Sequence, residues 1–351
     1  MKGGRMPRAA LAPARRPLAG GLARALALGA FLLGAVPLSA PLHAEEGGAP
    51  GQSFGQWLDG LRREALAAGI SKATLDRALS GLRPNPKVVE LDRSQPEFTM
   101  TFDDYLARVV SDERVQRGQA LLAQHRVLLE EVGAKYGVHP RFIVALWSVE
   151  SNYGTRTGEF PVIESLATLA YEGRRAKFFR KELLAALKIV QQDKLDPAMM
   201  LGSWSGAMGQ SQFIPSSFQN FAVDYDRDGR RDIWGTPADV FASIANYLSR
   251  NRWRSGQSWG REVQLPPGFD PGLLGPKQER KLAEWQQLGL RTANGATLPV
   301  VKDMTAYLLQ PGGEGGRAFL VYANFKTILR WNRSDFFGTA VGLLADRIGA
   351  G

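Results

Sequence analysis

Phe142-Ile-Val-Ala-Leu-Trp-Ser-Val-Glu150-Ser-Asn-Tyr-Gly154 is apolar almost all round as far as Glu150, its first acidic group. A helix without a polar face is buried. Ile143, Leu146, Trp147 and Glu150 recur at three- and four-residue steps, which puts all four on one helical face. A carboxyl among an indole and two aliphatic side chains loses hydration, so its neutral form is favoured and its pKa rises. A general acid needs that property. The same pattern also fits a buried glutamate paired with an arginine or capped by backbone amides. His139-Pro140 opens the helix with proline in its first turn. Gly154 is the expected left-handed cap, which would set Glu150 at the mouth of a cleft.

Working outward, Phe54 to about Leu82 has helical periodicity, restarting at Ser71, until Arg83-Pro84-Asn85-Pro86 breaks it. A loop with Pro96-Glu97-Phe98 follows. Phe102 to about Gly137 then reads as helix. From Glu262 to Ala318 short apolar stretches alternate with Pro and Gly turns, around one helical piece at Lys277–Gln287. Phe319 to Ile348 returns to helix. The expected fold is mainly α with a small β-containing insertion. Its units are 45–130 (α-helical), 131–260 with 319–349 (the core that carries Glu150), and 261–318 (the insertion).

Residues 1–44 read as an export signal. Lys2, Arg5, Arg8, Arg15, Arg16 and Arg24 precede an apolar run from Ala25 to Leu38, and no acidic residue interrupts them. Cleavage is expected near Ala44, with Ala40 as a second site. The apolar run is shorter than the ~18–20 residues a membrane span needs, and Gly34 and Pro37 break it. No stable span is therefore expected in the mature form. Six of the ten net positive charges lie in this segment, and the remainder is too mild to argue for nucleic acid. The chain has no cysteine, which removes disulfides, thiolate metal sites and cysteine nucleophiles. Such a chain suits a bacterial periplasm. With His43, His125 and His139 the only histidines, a His-rich metal site is excluded.

Several ordered blocks carry a resemblance. Ala145-Leu-Trp-Ser-Val-Glu150-Ser-Asn-Tyr-Gly154 resembles the catalytic helix of lytic murein transglycosylases of the B type, a lysozyme-like family. Phe160-Pro-Val-Ile-Glu-Ser-Leu-Ala-Thr-Leu-Ala170 and Arg174-Arg-Ala-Lys-Phe-Phe-Arg-Lys-Glu-Leu183 are similar to its next two blocks. Gly202-Ser-Trp-Ser-Gly-Ala-Met-Gly-Gln-Ser-Gln-Phe-Ile-Pro-Ser-Ser217 is similar to its most distinctive one. Ala245-Asn-Tyr-Leu248 and Leu329-Arg-Trp-Asn-Arg-Ser334 follow in order. The resemblance implies a lysozyme-like core, peptidoglycan glycan strands as substrate, and one glutamate, Glu150, acting first as acid and then as base. The product it implies is a 1,6-anhydromuramoyl end, and no cofactor is required for that chemistry. A hydrolytic muramidase and a non-catalytic wall-binding scaffold are the rival readings. Cell-wall synthesis or secretion machinery is a candidate partner.

The resemblance further implies sugar contacts at Ser203, Gln212 and Asn332, with Tyr247 near the acid. Arg174 and Arg175 would face the stem peptide, although a solvated helix face explains that pair as well. Glycines of the Gly206-Ala-Met-Gly209 turn would let backbone approach a sugar, unless the turn is only tightly packed. Trp331 and Phe337 stand where tyrosines are common in the family, so both are left out of the catalytic set. Glu164 and Asp196 read as helix-end residues rather than second carboxylates.

Asp224-Tyr-Asp226-Arg-Asp228-Gly229-Arg230-Arg-Asp232 has calcium-loop spacing, with carboxylates at positions 1, 3 and 5, Gly at 6 and the Arg230 carbonyl at 7. Gly235 stands where the closing Glu is usual. The family closes a longer loop from the next helix, which makes Asp239 the candidate ligand. Thr236-Pro-Ala-Asp239 also reads as a capping box variant.

Overall fold

The structure is a computed structural model that describes residues 51–94, 100–172 and 175–350. The export segment 1–44, Pro96-Glu97-Phe98 and Arg174 lie outside the described residues. The chain is mainly helical with a small sheet, as expected. Seven helices come first: α1 (Phe54–Ala67), α2 (Lys72–Leu79), α3 (Pro86–Arg93), α4 (Phe102–Val109), α5 (Asp112–Gln124), α6 (Arg126–Tyr136) and α7 (Pro140–Ser151). β1 (Phe160–Pro161) leads into α8 (Val162–Glu172) and α9 (Ala176–Gln192), and β2 (Leu201–Gly202) returns antiparallel to it. α10 (Pro215–Phe221) and α11 (Pro237–Arg250) follow.

The sheet comes next: β3 (Gly260–Gln264), β4 (Arg280–Lys281), α12 (Leu282–Gln287), β5 (Arg291–Thr292), β6 (Thr305–Leu309) and β7 (Ala318–Val321). Its order is β4-β6-β7-β3-β5, antiparallel throughout. Tyr307 pairs with Val321 and Leu309 with Phe319, while Gly260 pairs with Val321 on the other side of β7. α13 (Ala323–Trp331) and α14 (Asp335–Ile348) end the fold.

Small polar caps explain where the early helices start. Ser53, Ser71, Thr101 and Ser111 each accept a backbone amide from the first turn that follows. Ser111 also breaks the 102–137 stretch expected to be continuous, and His125 breaks it again, ending α5 and starting α6. The apolar pattern runs through both breaks, so periodicity alone misses them. α3 occupies part of the expected loop because Asn85 caps it ahead of Pro86. The insertion's helix is shorter than expected, and Phe319 lies in β7 rather than in helix.

One apolar core runs from Trp57 and Leu61 of α1 through α7 to Ile348 of α14. The sheet adds a second cluster around Leu282, Trp285, Leu308 and Leu320. α7 sits inside the first core, packed by α5, α6, α11 and α14. Phe142 to Ser148 are all buried, as the absence of a polar face required.

Candidate active site

α7 delivers Glu150 in its last turn, and the chain then leaves the helix abruptly. Asn152, Tyr153 and Gly154 are all left-handed, with φ of 50°, 58° and 77°. The cap is therefore Asn152 rather than Gly154. Asparagine tolerates this region, whereas a tyrosine there costs about 1–2 kcal/mol. Surrounding contacts hold Tyr153 in place. Its hydroxyl donates to the Arg114 carbonyl at 2.6 Å. Its ring meets Trp147 edge-on at 5.5 Å. Trp147 is in turn fixed by donating to Gln210 Oε1 at 2.8 Å.

Glu150 keeps some solvent-accessible surface. Protein nevertheless encloses the carboxyl closely enough that burial pushes its pKa up to about 8. The Trp331 indole hydrogen-bonds to it and offsets part of that rise. Among the described residues no arginine or lysine pairs with Glu150. The reading of a buried, arginine-paired glutamate therefore does not hold. Trp331 itself is packed by Tyr247 at 4.6 Å and Phe213 at 5.2 Å between ring centroids. Sequence reasoning set Trp331 aside for lacking a phenol, yet an indole N–H is also a donor.

The expected neighbours divide by what they already hold. Tyr247 lies against Trp331, but its hydroxyl donates to the Arg330 carbonyl at 2.7 Å, and burial pushes its pKa up to about 12. Its hydroxyl braces α13. Gln212 is left-handed and donates from Nε2 to the Thr157 and Gly209 carbonyls at 2.9 and 2.8 Å. What it can offer a ligand is its amide oxygen. Ser203 accepts from the Ala207 amide at 3.0 Å and lies 3.1 Å from the Ser205 hydroxyl. Asn332 follows Trp331 directly and accepts from the Ser334 amide at 3.0 Å. Arg175 is drawn to Asp92 of α3 at 3.0 Å, so it ties α9 to α3.

The open side of each turn glycine meets protein rather than free space. A Cβ on Gly206 would come 2.5 Å from Leu166, and one on Gly209 2.6 Å from the Ile233 carbonyl. The turn is tightly packed. Glu164 accepts from Asn85 Nδ2 at 2.7 Å and Asp196 caps the short turn at Pro197, so both are helix-end residues. Tyr105 and Arg114, missed in the sequence, also belong here. Burial raises the Tyr105 phenol, and the nearby Glu150 charge adds to the rise. Arg114 donates to the Ser148 carbonyl at 2.8 Å, at the carboxyl end of α7. Nothing local announces either residue, since both reach α7 from distant helices.

The acidic loop brings Asp224, Asp226 and Asp239 together, with a carboxylate oxygen of each within 4.8 Å of the others. Asp239 is fully buried and accepts the Tyr225 and Asp232 amides, both at 2.7 Å. It is no capping-box partner, because Thr236 makes no side-chain cap. Burial raises Asp239 to about 6, and the charges of Asp226 and Asp224 add to that. Asp224 Oδ1 is buried with no hydrogen-bond partner. Converging carboxylates with an unsatisfied buried oxygen are the donor set a hard cation needs. Asp228 is exposed and stands outside this trio, accepting from the Arg230 amide at 2.8 Å.

Comparison with known proteins gives the family. Residues 53–346 match the family profile described as transglycosylase SLT domain. The membrane-bound lytic murein transglycosylase B of Escherichia coli is 32% identical over 247 residues, 70% of this chain and 66% of that protein. The chain thus spans just under two thirds of that relative's length. The crystal structure of SltB3 from Pseudomonas aeruginosa with NAG-NAM-pentapeptide is 52% identical, with a TM-score of 0.83 over 86% of this chain and 81% of that one. The Escherichia coli lytic transglycosylase Slt35 in complex with calcium is 27% identical, with a TM-score of 0.72 over 89% of this chain and 98% of that one. A profile match over nearly the whole described chain goes well beyond one shared motif: the chain belongs to the transglycosylase SLT-domain family, among the lytic murein transglycosylases of the B type that its sequence resembles.

Proposed function

We propose that this protein cleaves the β-1,4 bond between N-acetylmuramic acid and N-acetylglucosamine in peptidoglycan and leaves a 1,6-anhydromuramoyl end. The observation that carries this reading is one unpaired carboxyl, Glu150, with a pKa raised to about 8 by burial. At neutral pH it is mostly protonated and donates to the glycosidic oxygen as the bond to C1 breaks. The muramic N-acetyl group steadies the cation-like C1. Ionised Glu150 then takes the proton from the C6 hydroxyl, whose oxygen closes on C1. Glu150 ends protonated again, and no water is consumed. A retaining or inverting hydrolase would need a second carboxylate across the bond. Glu164 and Asp196, the two weighed for that part, are held at helix ends.

Ser203, Asn332 and the Gln212 amide oxygen would meet the sugars, with Arg174 a candidate contact for the stem peptide. The division into 45–130, 131–260 with 319–349, and 261–318 is part of the same reading, supported for the insertion by a second apolar cluster that it shares with Leu320 and Tyr322. No described helix is long and apolar enough to cross a membrane. An exported, periplasmic enzyme fits the basic-then-apolar leader, with wall-synthesis or secretion machinery as candidate partners and no role for nucleic acid.

Mass spectrometry of sacculi digested by the purified protein tests the reaction. Released muropeptides are expected to be one water lighter than muramidase products. Ordinary reducing ends instead would establish the hydrolytic reading, and no release at all the scaffold reading.

Calcium is proposed as a structural ion held by Asp224, Asp226 and Asp239, with Asp228 and the Arg230 carbonyl completing the loop. It would supply no chemistry to the reaction. At a hundredfold excess over Kd, a bound ion adds about 2.7 kcal/mol, so a chelator is expected to lower Tm by roughly 5 °C in a chain this long. An unchanged Tm and no calcium heat in calorimetry would remove the ion.

A further inference from the structure

Two arginines, Arg114 and Arg117, meet Tyr153 just beyond Glu150, and the charge of a third, Arg156, acts on Arg114. The Arg117 guanidinium lies 5.2 Å from the Tyr153 ring centroid. Arg114 accepts the Tyr153 hydroxyl on its carbonyl at 2.6 Å. The Arg156 amide donates to the Ser151 carbonyl at 2.8 Å. Among the described residues none of the three has a carboxylate within 4.0 Å. Glu113 stands one helical turn before Arg117 yet makes no ion pair with it, and Asp112 is spent on Arg347 at 2.6 Å.

Arg114 is half-buried and fixed. Its Nη1 donates to the Ser148 carbonyl at 2.8 Å and to the Ser148 hydroxyl at 3.2 Å. Its Nε and Nη2 have no protein acceptor among the described residues. That leaves the edge of the guanidinium that grips a carboxylate with two parallel hydrogen bonds. Arg117 and Arg156 are exposed beside it. Burial, and the like charges of Arg156 and Arg117, hold the Arg114 pKa below its ordinary value. A cation desolvated beside two others, with no anion present, costs free energy that a bound anion would offset. Ser148 and Glu150 share the last turn of α7, and Tyr105 senses the charge of both Glu150 and Arg114, which places the cluster at the end of the helix that carries Glu150.

We propose that Arg114, Arg117 and Arg156 form an anion subsite that takes a carboxylate of the peptidoglycan stem peptide while the glycan lies over Glu150. This rests on the peptidoglycan reading above. It does not include Arg175, which is held by Asp92. The subsite would favour strands that still carry peptides over strands stripped of them.

The test compares wild type with the double variant Arg117→Glu, Arg156→Glu. Both changes are at exposed positions and leave the bonds from Arg114 to Ser148 of α7 in place. kcat/KM is measured on peptide-bearing strands and on amidase-stripped strands, and the quantity read is their ratio. The ratio is expected to fall about tenfold in the variant, mainly through KM on the peptide-bearing strands. An unchanged ratio overturns the subsite, whatever happens to the two rates separately. If wild type yields no anhydro ends from either substrate, the proposed reaction fails, and the subsite fails with it.

Discussion

Glu150→Gln is expected to lower turnover of purified sacculi by about 10³-fold or more, because one general acid–base group is worth 10²–10⁴ and this one serves both halves of the reaction. The same variant is expected to be more stable than wild type. The folded-state pKa of about 8 lies above the ordinary 4.5, so between these values the folded chain holds a proton that the unfolded chain has released. Stability from this group is therefore fully present below pH 4.5 and is lost as pH rises toward 8. Glutamine has no proton to lose and escapes that cost. The carboxyl keeps some solvent contact, so the full linkage is discounted to a gain of about 2 kcal/mol at pH 8. Melting curves of the two proteins should meet near pH 4 and separate steadily toward pH 8. Wild-type activity should fall above pH 8, where the acid is ionised. Equal Tm values at pH 8 would mean that Glu150 ionises like a free carboxyl, and the proposed acid would lose its basis.

The part of this site legible in the sequence is the part built within a few residues. Glu150 on an apolar face follows from spacing along one helix, and so do the converging carboxylates of Asp224 and Asp226 along one loop. The parts that were not legible depend on contacts between distant segments. Trp331 reaches Glu150 from α13, and Arg114 reaches Ser148 from α5, with no local pattern to mark either. The Gly206-Ala-Met-Gly209 turn was ambiguous for a related reason. Glycine at a positive φ signals a close approach but not by what, and the approaching groups are Leu166 and the Ile233 carbonyl. The same limit applies to the fold. Ser71 locates the start of α2, but the starts of α5 after Ser111 and of α6 after His125, the latter with no side-chain cap at all, fall inside one continuous apolar pattern.

Gly158→Ala is expected to be the most destabilising single-methyl change near the cleft, costing about 2–5 kcal/mol. Two effects add. Gly158 has a φ of 93°, where an L side chain costs about 1–2 kcal/mol. Its added Cβ would also overlap the Gly202 carbonyl, with the Ser203 amide only 2.5 Å away. Those neighbours are backbone and cannot rotate aside, so overpacking of about 1–3 kcal/mol follows. Gly202 cannot retreat either, because it pairs with Phe160 across β1 and β2 and its own open side faces the Ala207 carbonyl. Relief must come from parting the 155–159 segment from the turn that holds Ser203 and Gln212, and the bond from Gln212 Nε2 to the Thr157 carbonyl lies in that gap. Stability and turnover should therefore fall together, with Tm lower by roughly 4–10 °C. Gly313→Ala separates the two causes. Its φ of 81° is as unfavourable, but nothing lies within 4 Å of the added carbon, so about 1 kcal/mol is expected with turnover unchanged. Similar losses of Tm in both variants would assign the whole effect to backbone angle and leave the Gly158–Gly202 contact without a role in holding the site.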